Sequence, residues 1–215
     1  MEFKIMTNFK NQIASDLLKI KAVTLAPKKP FTWASGIEAP IYTDNRKTIG
    51  YPEIRTQIAE GLCEVIKENY PEANVIGGVA TAGIPHAAIV ADKLSLPMIY
   101  VRSKPKDHGA GKQIEGDLPD NPKIVLIDDL ISTGGSVLKA VEAVRNEGVE
   151  VVGVAAIFTY QLSDSDTNFA EANTKLNTLT NYSEMIEQAH KEKMVSDEDL
   201  QLLKKWRDDP WNWNK

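Results

Sequence analysis

Cysteine is nearly absent from this chain: Cys63 is the only one in 215 residues, so no intrachain disulfide can form. It falls in a helical stretch and reads as a small buried apolar residue rather than a nucleophile. Histidine is scarce too, and no cluster of Cys and His marks a zinc site. His86, at the start of an apolar helix, and His190, on a polar one, read as capping or solvated residues. No apolar run is long enough to span a bilayer, and Met1-Glu-Phe-Lys lacks the apolar stretch of a secretory signal. Nor is there a surplus of positive charge. The 25 Lys and Arg stand against 30 Asp and Glu, a formal net charge of −5, which gives no reason to expect a nucleic-acid partner. Repeats and low-complexity tracts are missing. These absences leave the expectation of a cytoplasmic protein without a membrane partner, long enough for one domain with a full core.

What is present speaks most clearly at residues 124–136. A short apolar β run ends in Asp128-Asp129, followed by the turn Ser132-Thr133-Gly134-Gly135 and a helix from Ser136. The apolar run reads as a buried parallel strand, which delivers its carboxyl end to the crevice where open α/β sheets bind ligands. The turn exposes successive amide groups at a helix N-terminus, and its glycines let an anion approach without a Cβ in the way. The two carboxylates are acceptors for neighbouring sugar hydroxyls or for the hydration shell of a divalent metal. A phosphate cradle beside hydroxyl acceptors suits a phosphorylated ribose. Asp, Ser, Thr and Gly also build ordinary capped turns; it is the acidic pair in phase with the turn and helix that favours a site. No Gly-Lys-Ser/Thr follows, so the turn is not of the Walker type, and no Gly-x-Gly-x-x-Gly marks a dinucleotide fold.

Strand and helix patterns alternate around this motif. Phe9, Ile13, Leu17 and Ile20 recur at helical spacing, predicting a helix over 8–22, and Pro52 opens a second with Ile54, Ile58, Leu62, Val65 and Ile66 on one face. Between them, the proline-punctuated, aromatic stretch from Pro27 to Arg46 suits a small lid of short strands. Strands are expected over 75–80, 98–102, 123–128 and 150–160, with helices over 83–94 and 135–147. That order predicts an α/β fold with a doubly wound, mainly parallel sheet flanked by helices. A polar, helix-prone stretch, an edge strand near 174–180 and helices near 181–192 and 196–208 follow, the last capped by Ser196. Trp206, Trp211 and Trp213 are expected to pack on the lid or on a partner subunit.

Two further segments carry chemistry. Residues 102–116 form a loop too rich in glycine for an element, with four Lys and Arg against two acids. Arg102, Lys106 and His108 can donate to phosphate oxygens, and the glycines permit a closing motion. Gly77 to Pro85 is another glycine-rich strand-to-helix turn, a weak signal alone.

The motif from Asp128 to Ser136 resembles the phosphoribosyl-pyrophosphate (PRPP) signature of type I phosphoribosyltransferases, in the wording of the orotate phosphoribosyltransferases. Lys106-Asp107-His108-Gly109 resembles the catalytic lid of the same family, and the resemblance covers roughly residues 8–180. It implies the type I phosphoribosyltransferase fold: a single domain with its core at about 52–160 and a small base-holding hood from about 23–48 plus C-terminal elements. It implies transfer of ribose 5-phosphate from PRPP to orotate, giving orotidine 5′-monophosphate and pyrophosphate on the way to UMP. By that resemblance PRPP is bound by Arg102, Lys106 and His108 and by Asp128, Asp129, Leu130, Ile131, Ser132, Thr133, Gly134, Gly135 and Ser136. Of these, Arg102, Lys106, His108, Asp128 and Asp129 would be catalytic. Mg²⁺ would be held through PRPP and water, with Asp128 and Asp129 at hand and no other protein ligand. The protein would be a homodimer, with the lid 102–116 acting in trans.

The chain departs from the family in places. Ser103 stands where many relatives carry a second lysine, with Lys104 one place on, and Ala82 stands where some place a lysine in the pyrophosphate loop. The family often has a cis peptide in that loop, which would fall near Ala80–Thr81. Phe31-Thr-Trp33-Ala-Ser35-Gly36 and Asp44-Asn45-Arg46 resemble the hood of one branch, and Tyr160 replaces an arginine that pairs with the orotate carboxylate in others. Ser132 and the amides beside Thr133 are then the carried-over contacts for orotate. Two other readings stay open. A phosphoribosyltransferase for a purine or uracil is disfavoured by the Lys106–Gly109 wording. A PRPP-sensing regulator would want a basic DNA- or RNA-binding face, which the sequence does not offer.

Overall fold

The structure, a computed structural model, describes residues 2–33, 36–104 and 113–213, with side chains from residue 9 onward. Helix α1 (Glu2–Lys19) leads into four short strands, β1 (Val23–Leu25), β2 (Phe31–Thr32), β3 (Glu38–Ala39) and β4 (Ile41–Thr43), and a 3-10 helix at Asn45–Gly50. Then come α2 (Pro52–Asn69), β5 (Val75–Val79), α3 (Gly83–Leu94), β6 (Met98–Val101), β7 (Ile114–Glu115) and β8 (Lys123–Ile131). The chain closes with α4 (Gly135–Asn146), β9 (Glu150–Thr159), α5 (Ser163–Glu171), β10 (Leu176–Asn181), α6 (Tyr182–Lys191) and α7 (Asp197–Asp208). Local chemistry accounts for several boundaries. Pro52 occupies the first turn of α2, where its missing N–H costs nothing. Asn181 caps α6, and Ser196 with Asp199 forms a reciprocal capping box on α7.

Six strands form the main sheet in the order β10-β9-β8-β5-β6-β7, all parallel except the pairing of β7 with β6. Side-chain alternation along the central strands sorts two cores, one on each face. In β8, Ile124 and Leu126 join Val75, Val141 and Val154 under α4, while Val125 and Ile127 join Ile76, Leu62 and Ala155 on the side of α1, α2 and α3. Burial on both faces is what a near-continuous apolar strand requires. The sheet takes in Leu176–Asn181 as an edge strand paired with β9, beyond the 52–160 expected of the core.

Three details differ from the sequence reading. Helix α1 starts at Glu2 rather than 8 and ends at Lys19. Strand β8 does not stop at Asp128 but runs to Ile131, because β9 keeps pairing with it: Asp128 faces Ala156, Leu130 faces Phe158 and Ile131 faces Thr159. The stretch 102–116 is not all loop, since Ile114–Glu115 pairs with Val101 and Tyr100 as β7.

The small layer of β1–β4 is tied to the C-terminal helices. Trp206 of α7 is fully buried, and its Nε1 donates to the Glu38 carbonyl at 3.0 Å. Its ring meets Trp33 edge-on at 5.6 Å and lies 5.0 Å from Tyr182, so α7 grips the β2–β3 hairpin through an aromatic cluster. Trp206 therefore packs as expected, on the small hood of β1–β4, whereas Trp211 is half exposed and donates to Asp164 at 3.2 Å.

One close approach sets α3 against β8. A Cβ on Gly83 would collide with the Ile127 carbonyl oxygen and come within 3.3 Å of the Asp128 Cα. Only glycine lets the start of α3 sit on the backbone of that strand. Gly83→Ala is expected to destabilise the fold by about 1–3 kcal/mol, the cost of overpacking a close-packed contact. Denaturant midpoints of the two proteins check it; an unchanged midpoint would show that the contact yields freely.

Candidate active site

The four central parallel strands finish on one edge of the sheet, and the segments expected to carry chemistry leave from those ends. Backbone hydrogen bonds hold the exits together: Ala80 N donates to Val101 O at 2.9 Å, and Tyr160 N to Ile131 O at 3.0 Å. The turn 80–83, Arg102 and the motif from Asp128 to Ser136 thus share the crevice where ligands bind in open α/β sheets.

Asp128 and Asp129 lie within β8, and the Asp129 amide donates to the Asp128 carboxylate at 2.9 Å. Asp128 is 8% exposed. Burial, and then the charge of Asp129, raise the Asp128 pKa well above the usual carboxylate range. Burial raises Asp129 as well, against the pull of its hydrogen bond with Asp128 and of the Arg46 charge. The pair is therefore held in a state that binds a proton more readily than a solvated aspartate does.

A buried polar chain fixes its flank. The Asn45 side chain donates to the Asp129 carbonyl at 2.6 Å, Thr48 Oγ1 donates to the Asn45 carbonyl at 2.6 Å, and His86 Nε2 lies 3.4 Å from Thr48 Oγ1. The Thr48 hydroxyl proton goes to Asn45, so His86 donates through Nε2–H, which leaves Nδ1 as its unprotonated, unpartnered nitrogen. His86 is fully buried, not a cap or a solvated residue as its place in the sequence suggested. Burial, with the Arg55 charge, lowers its pKa to about 4, so it is neutral. The physical reason is helix phase: His86 sits on the face of α3 that packs inward with Ala87 and Val90. His190, by contrast, pairs with Asp197 at 2.7 Å in the last turn of α6.

The turn after β8 is braced from outside. Gly134 has φ +81°, a left-handed conformation at the N-cap of α4, and a Cβ there would lie 2.6 Å from the Phe169 ring. The Asn168 side chain donates to the Thr133 carbonyl at 2.9 Å. Both braces come from α5, and nothing local in the sequence announces them. Ser132 and Thr133 are half-buried, Gly135 and Ser136 are exposed, and the amides in the first turn of α4 have no intrahelical acceptor. Leu130 and Ile131 complete β8, Ile131 with its side chain in the core. The Ala80–Thr81 peptide is cis, where the resemblance places it.

Arg102 leaves β6 in a clasp with Gln113: its amide donates to the Gln113 carbonyl at 2.9 Å, and Gln113 Nε2 returns to the Arg102 carbonyl at 3.0 Å. Its guanidinium lies 3.6 Å from the Glu115 carboxylate. Ser103 and Lys104 are exposed. Lys106 and His108, like Ala34 and Ser35 of the β2–β3 hairpin, lie outside the described residues. Tyr160 is buried, its ring 4.6 Å from Trp33 and 5.2 Å from Phe158. Among the described residues no group of three or more His, Cys, Asp and Glu side chains converges as a metal cage, and no helix is long and apolar enough to cross a membrane.

Comparison with known proteins follows the same lines. Residues 51–194 match the model of the phosphoribosyl transferase domain. Two bacterial relatives described as orotate phosphoribosyltransferase are each 60% identical. The one from Levilactobacillus brevis is matched over 94% of this chain and 96% of its own length. The one from Streptococcus pneumoniae serotype 4 is matched over 94% and 97%. Among solved structures, orotate phosphoribosyltransferase from Aeropyrum pernix superposes with a TM-score of 0.74 at 28% identity, covering 86% of this chain and 99% of that one.

The carboxylate pair has a testable cost. Burial lifts the folded-state pKa of Asp128 above its unfolded value near 4, so its contribution is most favourable below that pH and is lost as pH rises through the lifted value. Asp128→Asn removes the penalty. It is expected to raise Tm at pH 8 by about 2–4 °C, the shift that ~1 kcal/mol gives in a chain of this size. The gain should shrink at pH 5. Thermal scans at both pH values check it, and a lower Tm at pH 8 would contradict the assignment.

Proposed function

The chain belongs to the phosphoribosyl transferase family, at 60% identity to orotate phosphoribosyltransferases over nearly all of its length, and from that premise we propose how it works. It is a pentosyltransferase that moves ribose 5-phosphate from PRPP to orotate, yielding orotidine 5′-monophosphate and pyrophosphate. The observation that carries the residue-level reading is the adjacent pair of buried Asp128 and half-buried Asp129 on the same sheet edge as two strand-to-helix turns.

The turn from Ser132 to Ser136 grips the 5′-phosphate through its amides and hydroxyls, with Leu130 and Ile131 delivering it from β8. Asp128 and Asp129 accept hydrogen bonds from the 2′- and 3′-hydroxyls, and their charge favours the cationic character that the ribose ring gains as pyrophosphate departs. Orotate N1 is nucleophilic once deprotonated, so no protein nucleophile is needed. Arg102, Lys106 and His108 donate to the departing pyrophosphate oxygens, with the amides of 80–83 on the other side. For Arg102 this means exchanging or sharing its ion pair with Glu115. Ser132 touches the base. Closing the lid 102–116, over the neighbouring subunit's site in a homodimer, excludes the water that would hydrolyse PRPP.

Two adjacent carboxylates fit Mg²⁺, which takes one or two such oxygens together with substrate phosphates and water. Held there by PRPP and by Asp128 and Asp129, the ion would supply positive charge to the leaving group. A single domain in the cytoplasm, free of nucleic acid and membrane, completes the reading.

The test is orotate depletion at its ultraviolet band, with PRPP and Mg²⁺ present and then each omitted; turnover is expected only with both. Lys106→Ala should lower turnover on the order of 10²–10³-fold, as for a lost oxyanion donor. Mixing it with an Asp128→Asn/Asp129→Asn variant should restore activity through hybrid dimers. Wild-type turnover in Lys106→Ala, or no rescue when subunits demonstrably exchange, would overturn the lid assignment.

A further inference from the structure

Orotate differs from uracil by one group, a carboxylate on C6, the ring carbon next to the N1 that attacks the ribose. In the product that carboxylate hangs over the sugar. If Asp128 and Asp129 hold the sugar's diol, the base arrives with a negative group close to a carboxylate pair that is already short of solvent. Unless a cation lies there, orotate is repelled by the very residues that hold its ribosyl donor.

One guanidinium is placed to answer this. Asn45 is bonded to the Asp129 carbonyl at 2.6 Å, and the next residue along the 3-10 helix is Arg46. Its charge acts on Asp129 and that of Asp129 acts on it. Arg46 Nε donates to Asp44 at 2.6 Å, which orients the planar head and commits one of its five N–H donors. The side chain is 66% exposed, so the other donors face open crevice or solvent. Among the described residues, three other cations are engaged with other groups. Lys47 Nζ donates to the Lys21 carbonyl at 2.9 Å and Arg55 Nη1 to the Ile49 carbonyl at 2.9 Å, while Arg102 is paired with Glu115. The backbone under Arg46 is held by the buried chain His86–Thr48–Asn45. Tyr160 offers no charge and turns its ring into the Trp33 cluster.

The geometry points to Arg46 as the specificity-determining residue that receives the orotate carboxylate. It does so through a charge-assisted hydrogen bond from the guanidinium edge that Asp44 leaves open. The assignment rests on the reaction proposed above and adds to it the reason this chain takes an anionic base rather than uracil. The bland alternative is that Arg46 only staples its own turn to Asp44.

Binding of orotidine 5′-monophosphate and of uridine 5′-monophosphate, which differ only in that carboxylate, separates the two. Titrations would be run by calorimetry on the unaltered enzyme, Arg46→Gln and Arg46→Lys. Arg46→Gln should weaken binding of the carboxylated nucleotide roughly 10- to 100-fold, the worth of a hydrogen bond to a charged group, and leave binding of the other unchanged. Arg46→Lys, which keeps the charge and loses the planar fork, should fall between. Equal weakening of both nucleotides, or of neither, would overturn the assignment. Retained binding of uridine 5′-monophosphate certifies that the variant is folded with an intact ribose-phosphate site. Were Arg46→Gln not to fold, the same comparison in Arg46→Lys decides: selective loss of the carboxylated ligand supports the assignment and parallel loss ends it. An unaltered enzyme that failed to prefer the carboxylated nucleotide would instead sink the orotate reading itself.

Discussion

The crowding of two adjacent carboxylates in β8, Asp128 buried and Asp129 half-buried, is the constraint to which the rest of the site is fitted. A carboxylate taken out of water resists ionisation, and a second beside it resists further. The surroundings oppose this only in part: an amide on the Asp128 carboxylate and the charge of Arg46 at some remove. The residual strain is useful. In the proposed reaction, a pair that is under-solvated when empty would gain most from the ribose hydroxyls and from the positive charge that develops as pyrophosphate leaves.

Holding that pair in register with two anion-binding turns is a packing problem solved by missing side chains. Gly83 lets α3 begin on the backbone of β8 at Ile127 and Asp128, and Gly134 lets the next turn bend left-handed under Phe169. The amides of both turns therefore belong to firmly packed helix starts, and Arg102 and Gln113 are clasped to each other where β6 ends.

The C-terminal helices act at a distance from this chemistry. Trp206 reaches from α7 to the Glu38 carbonyl and stacks within the cluster of Trp33, Tyr160 and Tyr182, so the lid layer is anchored to the end of the chain as well as to the sheet. Tyr160 is part of that cluster. Tyr160 thus gives packing and no charge where β9 ends, so in the proposed reaction the anionic base would be read elsewhere.

Much was legible in the residue order alone. Continuous apolar runs in 75–79, 124–127 and 150–159 foretold buried parallel strands, and Asp128-Asp129 with Ser132–Ser136 suggested a phosphate-and-diol site, because apolar runs, turn chemistry and helix starts are local properties. Tertiary contacts decided the rest. Strand β8 outlasts its apolar run because β9 continues to pair with it, His86 is buried because of the helix face it occupies, and Asn45, Asn168 and Phe169 serve the site from 84, 35 and 35 residues away along the chain. The sequence by itself determined which groups could bind a ribose phosphate. Only the folded chain decided how far those groups are desolvated and which guanidinium stands beside them, since both depend on neighbours that no local pattern encodes.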